Sequence, residues 1–88
     1  MNIDLMQLRA KYDSGELMAE QYAAEIALKL RELAKTNQDP YLQKLIGWFE
    51  CLNCENLDVS HDELLDGALE ELYEWAVLEN VMILENEG

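Results

Sequence analysis

Apolar residues recur every three or four positions along most of this chain, which is the spacing of helices with one buried face. Four segments follow the pattern, at residues 3–12, 17–35, 40–52 and 60–79. One Pro and four Gly among 88 residues leave room for few turns. We therefore expect an all-α fold, a compact bundle of about four helices that forms a single domain over residues 1–88.

Turn and capping residues mark the ends of these predicted helices. Gly15 can adopt the left-handed conformation that ends the first helix, for which Asn2 is the candidate N-cap. Asp39 and Pro40 have the residue types of an N-cap and a first helical position, so the third helix should begin there. Ser60 is the expected N-cap of the fourth helix.

The third helix is apolar around most of its circumference. Such a helix is typically central, or half covered by a second subunit. The large residues expected in the core are Tyr22, Trp48, Phe49 and Trp75. Residues 80–88 are ambiguous, because they could extend the fourth helix, form a short strand or pack as a tail; a helix or packed tail is favoured, since no second clear strand is present.

The fourth helix separates its apolar and charged residues most cleanly. At about 100° per residue, one side holds only apolar residues, namely Leu64, Leu65, Ala68, Leu69, Leu72, Trp75 and Ala76. The opposite side holds the carboxylates Asp62, Glu63, Asp66, Glu70, Glu71 and Glu74. These carboxylates occur about once per 3.6 Å of helix axis, which is close to the ~3.4 Å per phosphate on one strand of B-DNA.

Charge is distributed unequally along the chain, whose formal net charge is −13. All six Lys and Arg residues lie within residues 1–44, and residues 45–88 contain none. Asp66, Glu70 and Glu74 follow one another at i, i+4 spacing, where like charges destabilise a helix by a few tenths of a kcal/mol each. This cost favours a docking surface for a basic partner, while the alternative is a solvated face of an acidic protein.

Tyr73 and Val77 lie within the carboxylate side of the helical projection. An aromatic and an aliphatic residue inside a charged rim are typical of an interface anchor. Alternatively, Tyr73 folds onto a neighbouring helix. The predicted partner-binding residues are Asp62, Glu63, Asp66, Glu70, Glu71, Tyr73, Glu74 and Val77.

Cys51 and Cys54 form a C-x-x-C motif, and His61 follows seven residues later. Zinc could use these three side chains, but structural zinc sites usually add a second C-x-x-C or a two-His arm, which this sequence lacks. We therefore expect no metal site and no cofactor, and we expect His61 to be a surface residue.

The sequence contains no phosphate-loop, dinucleotide-binding or nucleophile-elbow motif. With one His and no motif around its Ser residues, the chain is not expected to be an enzyme. Its acidity disfavours direct binding of nucleic acid or anionic membranes. Without a secretory pattern or an apolar run of about 18–20 residues, the expected location is the cytoplasm of a bacterial or phage-infected cell.

These observations lead to the hypothesis of a non-enzymatic inhibitor that mimics DNA. Its acidic side would enter the basic groove of a nucleic-acid-binding protein and exclude the nucleic acid by competition. In charge and size alone, the chain is similar to phage anti-CRISPR and anti-restriction proteins and to nuclease immunity proteins. It lacks the Tyr-Tyr-Pro of the immunity proteins of DNase colicins. The alternative is a helical adaptor or assembly module that dimerises through the third helix, with an acidic face that only solubilises it.

Overall fold

The computed structural model describes residues 2–53 and 61–85 of the chain. Its elements, in chain order, are β1 (Asn2–Asp4), α1 (Met6–Ser14), α2 (Ala19–Ala34), α3 (Pro40–Glu50), a short 3-10 turn (Cys51–Asn53), α4 (His61–Leu78) and β2 (Met82–Leu84). The radius of gyration of 12.6 Å is close to the ~12 Å expected of a compact chain of this length. Of the expected all-α bundle, the coarser part is confirmed: the described residues form a compact, mostly helical structure with four α-helices. They also form a small strand pair, which an all-α fold does not include.

The two strands pair in parallel and join the two ends of the described chain. Ile3 lies opposite Ile83, and the Leu5 N–H donates to the Leu84 carbonyl at 2.6 Å. The prediction that the first helix begins at residue 3, with Asn2 as its N-cap, is therefore wrong. β2 supplies hydrogen-bond partners to the backbone of residues 2–4, which therefore form a strand. The helix α1 begins at Met6 instead.

Two predicted helix ends are confirmed, namely the end of α1 at Gly15 and the start of α3 at Asp39 and Pro40. Gly15 has φ 89° and ends α1 in the left-handed conformation. The Asp39 carboxylate accepts a hydrogen bond from the Tyr41 N–H at 3.0 Å, and Pro40 is the first residue of α3. Ser60, the predicted cap of α4, lies outside the described residues.

The chain reverses direction after α4 at Asn80. Asn80 has φ 56°, a left-handed conformation that Asn tolerates better than most residues. The Val81 N–H then donates to the Ala76 carbonyl at 2.8 Å, and the Val81 side chain is buried. This helix ending directs residues 82–84 back over the bundle as β2. The favoured prediction of a helix or packed tail is therefore wrong for these residues, which form the short strand that was the less favoured alternative.

The core lies between the buried faces of α2, α3 and α4. Tyr22, Phe49 and Trp75 are large core residues, as predicted, but the same prediction is wrong for Trp48, which is 43% exposed. The buried residues of α3 are Leu42, Leu45, Ile46 and Phe49. Because these four residues already fill the inner side of α3, Trp48 remains at the edge of that side.

In the part of the chain that the structure describes, none of the helices is both long and apolar enough to cross a membrane.

Candidate protein-binding surface

The outer side of α4 carries the predicted acidic face. Its inner side buries Leu65, Ala68, Leu69, Leu72, Trp75 and Ala76 in the core. Its outer side presents Asp62, Glu63, Asp66, Glu70 and Glu74 as exposed residues, with Glu71 half-buried at the margin. The predicted separation of the two sides is confirmed, and these carboxylates of the outer side of α4 are called here the acidic face.

The ion pairs of the described residues lie on other helices. Arg9 pairs with Asp13 at 3.3 Å, Lys35 with Glu32 at 3.1 Å, and Arg31 with Glu50. Within residues 2–53 and 61–85, the central carboxylates of the acidic face, those of Asp66, Glu70 and Glu74, form no ion pair. Their charge is therefore left for counterions or for a cationic partner to balance.

Tyrosine hydroxyls hold two carboxylates at the margins of the acidic face. The Tyr12 hydroxyl donates to Asp62 Oδ1 at 2.7 Å, and the Tyr41 hydroxyl donates to Glu71 Oε2 at 2.6 Å. Burial and the bond to Asp62 raise the pKa of Tyr12 to about 12, and the bond to Glu71 raises the pKa of Tyr41. Both hydroxyls are protonated at neutral pH and donate charge-assisted hydrogen bonds to these two carboxylates.

Tyr41 is itself positioned by a contact between α3 and α4. Asp39 Oδ1 accepts the Tyr41 N–H, while Asp39 Oδ2 accepts the Trp75 indole N–H at 2.9 Å. These two bonds, with that of Trp75 the larger cause, lower the pKa of Asp39. The carboxylate of Asp39 therefore links the start of α3 to the buried side of α4, and through Tyr41 to Glu71 on the acidic face.

Tyr73 and Val77 take different positions in the structure. The Tyr73 hydroxyl donates to the Glu85 carboxylate at 2.6 and 2.7 Å, and the ring packs half-buried against the core. Val77 is 76% exposed and Leu78 is 82% exposed. Tyr73, Glu74, Val77 and Leu78 line a shallow cavity of about 460 Å³ at the end of α4. The exposed apolar surface next to the acidic face therefore consists mainly of Val77 and Leu78.

A second cavity, of about 400 Å³, lies between the end of α3 and α4, and is called here the Trp48 groove. It is lined by Trp48, Cys51, Leu52, Glu63, Leu64, Gly67, Ala68 and Glu71. Sequence reasoning missed this groove because it placed Trp48 in the core. A signal for it was Gly67, a poor helix former in the middle of an otherwise strong helical pattern.

The possible zinc site of Cys51, Cys54 and His61 falls mostly outside the described structure. Cys54 and the side chain of His61 lie outside the described residues, and Cys51 is exposed at the end of α3. Among residues 2–53 and 61–85, no group of three or more His, Cys, Asp or Glu side chains is placed to hold a metal ion.

Comparison of the chain with protein-family models, with curated proteins and with solved structures found no match.

Proposed function

We propose that this protein is a non-enzymatic inhibitor that mimics DNA and blocks the basic groove of a nucleic-acid-binding protein. The observation that carries the proposal is the exposed row of Asp66, Glu70 and Glu74, which has no ion pair among the described residues. Lys and Arg side chains that hold phosphates in such a groove can pair equally well with carboxylates. Inhibitors of the anti-CRISPR, anti-restriction and nuclease-immunity type act on targets of this class.

The dimensions of the acidic face support this proposal. From Asp62 to Glu74, α4 rises by about 18 Å, the length of roughly five phosphates along one strand of B-DNA. A regular helix holds the backbone of this row rigid, and the tyrosine bonds fix Asp62 and Glu71 at its margins. A surface that is ordered before binding loses less entropy when it binds.

The electrostatics predict how the complex should behave in salt. A face with one sign of charge attracts a basic partner over a distance set by the Debye length, about 8 Å at physiological ionic strength. Association should therefore be fast at low salt and should slow as salt is added. An affinity that does not change with salt would contradict an interface built on this face.

Capture from a bacterial lysate tests the proposal if the bound protein is then displaced by DNA. The wild-type protein is immobilised, and retained proteins are eluted with a short DNA duplex. A parallel column carries Glu70→Lys with Glu74→Lys, and a control column carries Glu16→Lys with Glu25→Lys, which adds the same charge at exposed positions outside α4.

We expect duplex DNA to elute a nucleic-acid-binding protein from the wild-type and control columns but not from the α4 column. The soluble wild-type protein should then inhibit DNA binding by the purified target, and the α4 double variant should not. Retention of the same target by the α4 double variant, or a target that DNA fails to displace, contradicts the proposal. Circular dichroism of both double variants checks that helicity is kept.

The second candidate, an adaptor that dimerises through α3, is favoured by the exposure of Trp48. Sedimentation analysis at high micromolar concentration separates the two candidates. A dimer that Trp48→Ala dissociates supports the adaptor function, whereas a monomer contradicts it.

A further inference from the structure

We infer that the Trp48 groove is an anchor site for one apolar side chain of a basic protein segment, in which Lys or Arg residues flank that side chain. The inference rests on the proposed function for the nature of the partner, and it adds a specific apolar contact to what would otherwise be a purely ionic surface.

The groove has the size and lining of an apolar binding site. Its volume of about 400 Å³ lies within the range of about 300–1,000 Å³ that small-ligand pockets show. Trp48, Leu52, Leu64 and Ala68 supply the apolar lining. A Cβ atom placed on Gly67 would meet nothing within 4 Å, so the absence of a side chain there leaves the groove open.

Trp48 is held in position although it is half exposed. Its ring lies edge-on to Tyr41 with the ring centroids 6.2 Å apart, and the Tyr41 hydroxyl is fixed by Glu71. Partly exposed, pre-ordered tryptophans are frequent among the residues that dominate protein interfaces, because they bury a large area at low entropic cost. The wall of the groove is therefore ready for a partner side chain without rearrangement.

The charges around the groove identify the kind of partner. Glu63 and Glu71 line the groove and also belong to the acidic face, so the two sites form one surface. An apolar side chain in the groove would place flanking Lys or Arg residues beside these carboxylates. A second copy of the chain, with its own formal charge of −13, would bring like charges together at the same place. Charge complementarity therefore favours a basic segment.

A pair of synthetic peptides tests the anchor site without any knowledge of the natural target. The first is Lys-Lys-Leu-Lys-Lys, blocked at both ends, and the second has Gly in place of Leu. Each peptide is titrated into ¹⁵N-labelled protein while the Trp48 indole N–H and the Gly67 amide are followed by nuclear magnetic resonance. Spectra of Trp48→Phe assign the indole signal.

We expect the Leu peptide to bind about tenfold more tightly than the Gly peptide, as burial of one leucine side chain implies. The Leu peptide should shift the signals of Trp48 and Gly67, whereas the Gly peptide should shift mainly those of the acidic face. Equal affinities, or signals of Trp48 and Gly67 that do not respond to the Leu residue, would overturn the inference.

Two variants test the groove itself. Gly67→Leu fills it and should remove the tenfold preference while leaving the Gly peptide unaffected. Gly47→Leu is the matched control, since Gly47 is also helical, has open space around its Cβ position and lies outside the groove lining. If Gly67→Leu loses helicity, Trp48→Ala replaces it, and a preference that survives in Trp48→Ala contradicts the anchor site.

These outcomes separate the anchor site from the proposed function. If the wild-type protein shows no preference for the Leu peptide but still gives DNA-displaceable capture, the anchor site alone is rejected. Capture that is insensitive to Glu70→Lys with Glu74→Lys rejects the DNA mimic alone. A dimer that depends on Trp48 assigns the groove to a second copy of the chain and overturns the inference.

Discussion

The helices α2 and α4 bury similar apolar faces but differ in the charge of their outer sides. Both helices place leucines in the core, where Leu30 of α2 and Leu72 of α4 are completely buried. The outer side of α2 mixes signs, and Arg31 and Glu32 each form an ion pair. The outer side of α4 carries carboxylates and no cation.

This difference shows that the charge of the protein is distributed unevenly over its surface. A helix with mixed charges, such as α2, already balances its own surface through i, i+4 neighbours and ion pairs. The central carboxylates of the acidic face, those of Asp66, Glu70 and Glu74, form no ion pair among the described residues.

The largest effects should come from the buried sides, where the two helices are alike. Leu30→Ala and Leu72→Ala should each lower the free energy of unfolding by about 2–5 kcal/mol, because each removes a fully buried side chain. Urea denaturation at constant salt measures both losses. Leu28→Ala, at an exposed position on α2, is the control and should change the value by no more than about 0.5 kcal/mol.

A smaller effect should follow from the polar link between α3 and α4. Trp75→Phe removes the indole N–H that donates to Asp39, and we expect a loss of about 1–3 kcal/mol. For comparison, Arg31→Ala breaks the surface ion pair between α2 and α3 and should cost less than about 1 kcal/mol. Urea denaturation measures the free energy of unfolding of both variants. Equal losses would contradict a larger contribution of the Trp75–Asp39 bond than of the Arg31–Glu50 pair.

Alkaline pH should weaken the α4 side of the molecule through Tyr12. Its pKa is raised from 10.0 to about 12 in the folded protein, so the folded state holds this proton more tightly than the unfolded state. The resulting stabilisation is complete below about pH 10 and is lost as pH rises towards 12. Thermal unfolding in this range should show a falling melting temperature, and Tyr12→Phe should make the fall shallower. An unchanged slope in that variant would contradict the role of the Tyr12–Asp62 bond.

Substitution of single charged residues should change the free energy of unfolding least, and here the two helices should respond differently. Glu70→Lys should stabilise the protein by a few tenths of a kcal/mol for each of its neighbours Asp66 and Glu74, because it converts repulsion into attraction. Glu25→Lys on α2 makes the same change in net charge but places a lysine four residues before Lys29, and it should not stabilise. The difference, measured by urea denaturation at low salt, should disappear near 1 M salt.

The sequence was sufficient to predict features that depend on neighbouring residues. The two sides of α4 follow from the helical period, because every turn between Asp62 and Ala76 repeats the same division. Gly15 and the pair Asp39 and Pro40 were also predicted correctly, since turn and cap preferences are properties of single residues.

Features that depend on distant partners could not be predicted in this way. The strand at Asn2–Asp4 exists because residues 82–84 supply its hydrogen bonds, and neither segment shows this alone. The bond from Tyr41 to Glu71 likewise requires the packing of α3 against α4. Trp48 was misplaced because an apolar residue on a helix does not reveal whether a neighbouring helix covers it.

Because β1 pairs in parallel with β2, residues 2–4 can form their strand only when residues 82–84 are present. During synthesis, residues 2–4 leave the ribosome early, but their partner strand emerges only after α4. Until then the Leu5 N–H lacks its acceptor, and Ile3 lacks the neighbour that it faces in the finished protein. Contacts between such distant segments form late, because a long loop must close first. We therefore expect nascent chains that stop at α4 to be helical but readily proteolysed near residues 2–4, so that protease resistance there reports that residues 82–84 have been made and have paired.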